Sequence, residues 1–241
     1  MKFVIAPNCL ERNLHQQNMH RLVNFFEILK FVANQYNTNA YIEWTALKLS
    51  KELIDNCNLL VISNRVHTKR FSDKDINLIE NFVKMGGNLL LMSNHAPSLM
   101  LQDNRLARRF GFSFGFANFE TSERDYLELE NIGTHPLMLH PQTHEQLKVS
   151  IHSSCFIEEG NNVGEPLIYL NDNICDYTNT EESSANKIFS YIVDRSAHNG
   201  KIAAIASTDI IGEPCIGHYS TGLNQADNRQ FICNLVNWLV S

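Results

Sequence analysis

The 241-residue chain has no Cys-x-x-Cys pair, no run of Lys or Arg, and no Gly-rich fingerprint. Its six cysteines, Cys9, Cys57, Cys155, Cys175, Cys215 and Cys233, are scattered. That pattern suits reduced thiols in a large core and excludes the disulfide framework of a small secreted fold, so no disulfides are expected. A net charge of -6 with both signs mixed excludes a phosphate-tracking surface, and with it nucleic acid as a partner. The opening apolar stretch, Phe3-Val4-Ile5-Ala6, is cut by Pro7 before a signal-peptide core or membrane span forms. The expectation is a cytoplasmic protein with no membrane association. Gly86-Gly87 precedes a strand instead of opening a helix, Gly111, Gly115 and Gly133 lack fingerprint spacing, and no His-Glu-x-x-His occurs. Neither a nucleotide cradle nor a metalloprotease site is expected, and no cofactor or resident metal. No repeat or linker divides the chain, so it reads as one domain over 1–241 with a β-rich insertion or second layer at about 117–184.

What is present is apolar in blocks. With 44% hydrophobic residues the chain can bury a substantial core. Leu59-Leu60-Val61-Ile62 and Leu89-Leu90-Leu91-Met92 read as buried strands, joined by a helix that opens at Phe71-Ser72-Asp73 and closes on Gly86. Two uniformly apolar strands linked by one amphipathic helix make a βαβ unit of a parallel sheet covered on both faces. Ser72 with Asp75 predicts a capping box, with Phe71 stapled onto Ile76, and Gly86 a left-handed terminator. Met19 to Tyr36 carries helical spacing from about Asn18, Tyr41–Trp44 reads as a strand, and Leu47–Ile54 as a short helix. The alternation in Phe112-Ser113-Phe114-Gly115-Phe116 predicts a strand with one apolar face, either in the core or against a second subunit in a homodimer. Short strand pieces follow at Leu147–Ile151, Cys155–Ile157 and Pro166–Leu170, then the strand Ile202–Ala206 and a loop to Gln225. Asp227 and Gln230 predict a capping box for the last helix, whose stripe is Phe231, Leu235, Trp238 and Leu239.

The phrases Asn58-Leu59-Leu60-Val61-Ile62, Phe82-Val83-Lys84-Met85-Gly86-Gly87-Asn88-Leu89-Leu90-Leu91, Leu106-Ala107 to Phe110-Gly111, His135-Pro136-Leu137 and Asn234-Leu235-Val236-Asn237-Trp238-Leu239, in this order, resemble the class I glutamine amidotransferase-like superfamily. The likeness is to its non-amidotransferase branches, including domains beside gliding-motility and transport proteins and one in an intraflagellar transport protein. It implies a flavodoxin-like three-layer α/β sandwich with a mainly parallel, doubly wound sheet. In amidotransferases the strand matching Leu89–Met92 runs into a Gly-x-Cys-x-Gly turn bearing the nucleophile. Here that turn is Ser93-Asn94-His95-Ala96, without cysteine or glycine. It loosely resembles the strand-end His of the trehalose-utilisation-like branch.

Ligands of open α/β sheets sit at the carboxyl ends of the strands. The loops expected there carry Asn8, Cys9, Asn64, Arg65, Asn94, His95, Asp209 and His218, and their convergence suits a small polar, sugar-like ligand. Asn94, His95, Asp209, His218, Asn64 and Arg65 are the candidate ligand residues. The bland reading gives Asn and Asp to caps and turns and His95 to its own loop. His95, Asp209 and His218 are also the types that ligate a divalent metal. A hydrolase reading uses Cys215 or Cys9 with His218, or a metal-activated water near His95, since a nucleophilic thiol needs an adjacent base. His135, His140 and His144 fall in a stretch whose two prolines, Pro136 and Pro141, prevent a regular helix from aligning them, which favours a solvated loop. The leading expectation is a binding or interaction module without amidotransferase chemistry.

Overall fold

Five apolar strands form the parallel half of the sheet: β1 (Lys2–Asn8), β2 (Tyr41–Trp44), β3 (Leu59–Arg65), β4 (Asn88–Met92) and β12 (Ile202–Ile205). The computed structural model describes residues 1–8, 22–44, 49–65, 71–94, 97–120, 126–130, 132–160, 164–172, 174–176, 183–194, 200–212 and 222–241. The parallel strands lie in the order β2-β1-β3-β4-β12, which is the flavodoxin-like 2-1-3-4-5 arrangement. Phe3–Ile5, Leu59–Ile62, Leu89–Met92 and Ile202–Ile205 are buried throughout, as strands covered on both faces must be.

Helices supply that cover. α1 (Val23–Gln35) packs beside α5 (Asn228–Val240), and α3 (Asp73–Lys84) beside α4 (Pro97–Ala107). A single turn, α2 (Lys51–Ile54), leads into β3. The start of α3 follows the expected chemistry: Ser72 Oγ accepts from Asp75 N while Asp75 accepts from Ser72 N. Gly86, at φ +96°, ends it in a conformation that costs glycine nothing. The start of α5 departs from expectation. Asp227 makes no side-chain cap; its carboxylate accepts from Lys148 N at 2.9 Å, and Gln230 donates to Asn234. The Lys148 amide thus competes successfully for the capping oxygen.

The rest of the chain continues the same sheet with the opposite strand sense. β11 (Ile188–Val193) pairs antiparallel with β12, followed by β8 (Ser153–Glu159), β5 (Phe112–Glu120) and β10 (Cys175–Asp176), while β9 (Glu165–Tyr169) also pairs with β11. β6 (Leu127–Leu129) and β7 (Val149–Ile151) form a separate two-stranded sheet. The β-rich stretch is therefore mostly an antiparallel extension of the main sheet. The strict alternation expected for β5 fails midway. Between Gly115 and Phe119 β5 advances four residues while β8 advances two, and an irregularity of this kind changes which face a side chain meets. Phe112, Phe114, Ala117 and Phe119 are buried, and Phe116 is left 56% exposed.

Two buried asparagines fasten helices to β5 and β7. Asn104 of α4 accepts from Phe114 N and donates to Phe114 O. Asn228 of α5 does the same with Ser150 N and O. A primary amide offers one donor and one acceptor side by side, so each mimics a strand partner.

Candidate functional site

The carboxyl ends of β4 and β12 lie side by side, because Ile205 is in register with Met92 and Ser93 N donates to Ile205 O. The residues that follow each strand therefore meet. Asn94 donates to Thr208 Oγ1 at 3.2 Å. The next residue, Asp209, accepts at 2.8 Å from Ser153 Oγ at the start of β8, and its N–H donates to Ser207 Oγ. Asn94, Thr208 and Asp209 are half-buried and Ser153 is buried. They form a polar rim at the seam where the parallel half meets the antiparallel half.

A second polar layer is fully enclosed. Ser93 donates to Asp103 of α4 at 2.7 Å, with both residues buried. Ala206 O receives Cys155 N, Ser154 Oγ and the Cys155 thiol at 3.0, 3.2 and 3.2 Å. Burial pushes the Cys155 thiol far up, the Asp103 charge adds to the rise, and a hydrogen bond with Ser93 opposes it. A thiol held in this way stays protonated and serves as a hydrogen-bond donor, because the thiolate is the nucleophilic form. Cys57 and Cys233 are likewise buried and their thiols raised, Cys57 to about 11.

Of the six sequence candidates, Asn94 bonds Thr208, the residue before Asp209, and Asp209 bonds Ser153. The backbone places Asn64 and Arg65 at the carboxyl end of β3, with Arg65 opposite Asn8 of β1; their side chains lie outside the described residues. His95, His218, Cys9 and Cys215 also lie outside them. The histidines of 135–144 are turn-formers: His135 Nδ1 accepts from Leu137 N, and His140 Nδ1 from Gln142 N and Thr143 N. Among the described residues no group of three His, Cys, Asp or Glu side chains is placed to hold a metal, and no helix is long and apolar enough to cross a membrane. Three cavities lined by described residues, of about 690, 490 and 410 Å³, lie along α2 and α3 and between α1 and α5, away from the rim.

Sequence reasoning missed Ser93, Asp103, Ser153 and Thr208. Asp103 did leave a signal. Met100, Asp103, Leu106 and Ala107 share one face of α4 and are all buried, so a carboxylate stands within an apolar stripe, where it needs a partner. Ser153 and Thr208 left none, since small hydroxyl residues are ordinary in turns.

No protein family matches the sequence, and no curated protein does. Solved structures match its fold. The mmIFT52 N-terminal domain superposes with a TM-score of 0.72 at 11% identity, covering 100% of this chain and 98% of that one. A ThuA-like protein from Bacteroides uniformis gives 0.61 at 13% identity, covering 100% and 91%. A cytoplasmic protein from Salmonella typhimurium LT2 gives 0.61 at 13%, covering 99% of each. Identities this low establish the architecture and leave the chemistry to the site.

Proposed function

We propose that the seam rim binds a small, neutral, hydroxyl-rich ligand and that the chain works as a binding module without amidotransferase chemistry. The observation that supports this reading is the pair of hydrogen bonds, Asn94 to Thr208 and Ser153 to Asp209, made on two adjacent residues after β12. Amide, hydroxyl and carboxylate groups in one short row offer donors and acceptors of the kind that vicinal hydroxyls pair with. The absence of cysteine from the turn after β4, together with protonated, buried thiols at Cys57, Cys155 and Cys233, supports binding over acyl transfer. The proposed ligand set extends to His95, which follows Asn94 in the chain, to His218, and to Asn64 and Arg65. A cytoplasmic location belongs to the same proposal.

The test is a saturation-transfer NMR titration with D-glucose and myo-inositol against wild type, Asp209→Asn, Asn94→Ala and His95→Ala. Signal transfer in wild type that is lost in all three variants supports the rim. Undiminished transfer in Asp209→Asn places any binding elsewhere, and no transfer in wild type removes the neutral polyol as ligand.

A further inference from the structure

We propose that Asn228, on the last helix and outside the rim, is the positioning residue for Asp209; this rests on the reading of Asp209 as a ligand residue. Asn228 is completely buried. Its Nδ2 donates to two carbonyls, Ser150 O and Gly222 O, each at 3.0 Å, and its Oδ1 accepts from Ser150 N at 2.9 Å. Through Gly222 and through Ser150 these contacts lead to Asp209 by two routes.

The first route ends on the backbone. Gly222 N donates to Asp209 O at 3.0 Å, and Gly212 N donates to the same oxygen at 3.2 Å. One carbonyl thus receives both flanks of the segment between those glycines, and Asn228 fixes one flank from below. The second route ends on the carboxylate. Ser150 lies three residues before Ser153, across the His152 bend between β7 and β8, and Ser153 Oγ donates to Asp209 Oδ2 at 2.8 Å. β7 is itself held on its other edge by β6, where Glu128 lies opposite Ser150. The neighbouring Asp227 adds a third tie, exchanging backbone and side-chain bonds with Lys148.

The residue type fits this task. Only a primary amide can give two protons to carbonyls while taking one from an amide N–H. An aspartate has the same shape and keeps the bond from Ser150 N. It would, however, turn a carboxylate oxygen toward two carbonyl oxygens, and a buried acceptor facing acceptors carries the desolvation cost of an unmade bond. Asn228→Asp therefore removes the two donated bonds, to Ser150 O and Gly222 O, while changing almost no volume.

The experiment is amide hydrogen exchange on the full chain, with carboxyl-carbon NMR of the aspartates. In Asn228→Asp, the Gly212 and Gly222 amides should exchange about tenfold faster or more, beyond any change at Leu89, Leu90 and Leu91 of β4. The Asp209 carboxyl resonance should move while that of Asp75, a buried carboxylate on α3, stays in place. Acceleration of all these amides in step, an unmoved Asp209 resonance, or no acceleration at all overturns the proposal. Should the variant not fold, wild type alone decides: Ser150, Gly212 and Gly222 amides must open as one unit across a denaturant series, and independent opening overturns it. These readouts contain no ligand, so they can fail while the glucose titration succeeds, and the converse.

Discussion

The parallel and antiparallel halves of the sheet are built under different rules. In the parallel half the cores of β1, β3, β4 and β12 are buried on both faces while the edge strand β2 is partly exposed, the sequence repeats blocks of Leu, Ile and Val, and neighbouring strands keep simple register apart from one irregularity between Ala6 and Asn8 of β1. In the antiparallel half the register shifts within β5 and again within β11, and Asn104 of α4 takes the place of a strand neighbour for Phe114, as Asn228 of α5 does for Ser150 in the small β6–β7 sheet. The regular half supplies a rigid platform, and the irregular half brings Ser153 to the platform's carboxyl edge. The rim exists because both contribute to it.

The largest effects should come where the two halves allow no side chain. A Cβ on Gly200, just before β12, would lie 1.7 Å from the Gly87 carbonyl oxygen, and one on Gly164, just before β9, 2.2 Å from that of Ile192. Both obstacles are backbone, so Gly200→Ala and Gly164→Ala should each cost about 3 kcal/mol or more in chemical denaturation. A neutral result at either would show that half to be more yielding than described.

Next come the side chains. Leu90, fully buried in the central β4, should cost about 2–5 kcal/mol when changed to Ala. Phe116, exposed by the irregularity in β5, should cost within about 0.5 kcal/mol. Equal losses would contradict the placement of that irregularity. Ser72→Ala removes a reciprocal cap and should cost about 1 kcal/mol, read as faster exchange in the first turn of α3.

A further effect is one of pH. Burial pushes the Cys57 thiol from 9.0 up to about 11. The folded state then holds its proton more tightly than the unfolded chain. The resulting stabilisation is complete below the ordinary thiol range and is lost as pH rises from 9.0 through about 11. Denaturation midpoints over that window should fall less steeply in Cys57→Ala than in wild type, and parallel slopes would refute the linkage.

How far the sequence reveals this molecule follows the same division. The strands at Leu59 and Leu89, the Ser72–Asp75 cap and the Gly86 terminator are local features, fixed by residues within a few positions of one another. Asp227 looked equally local and was not. Its carboxylate bonds Lys148, 79 residues away, and no spacing rule reports such a partner. That Asn94 and Asp209 lie beyond adjacent strand ends was legible, because strand ends of a parallel sheet converge. Ser153 was not, since its role depends on how β8 enters the sheet through an antiparallel neighbour. Asp103 was legible in principle as a charge within an apolar stripe, and Asn228 was hidden by its resemblance to an ordinary residue of a helix start.

The seam between the two halves is the proposed place where a ligand is held. A crystal structure of the protein soaked with D-glucose or myo-inositol tests this directly. The account predicts density in hydrogen-bond contact with Asn94 and Asp209, at the carboxyl ends of β4 and β12. Density confined to the cavities along α2 and α3 or between α1 and α5, with the rim closed on its own hydrogen bonds, would contradict it.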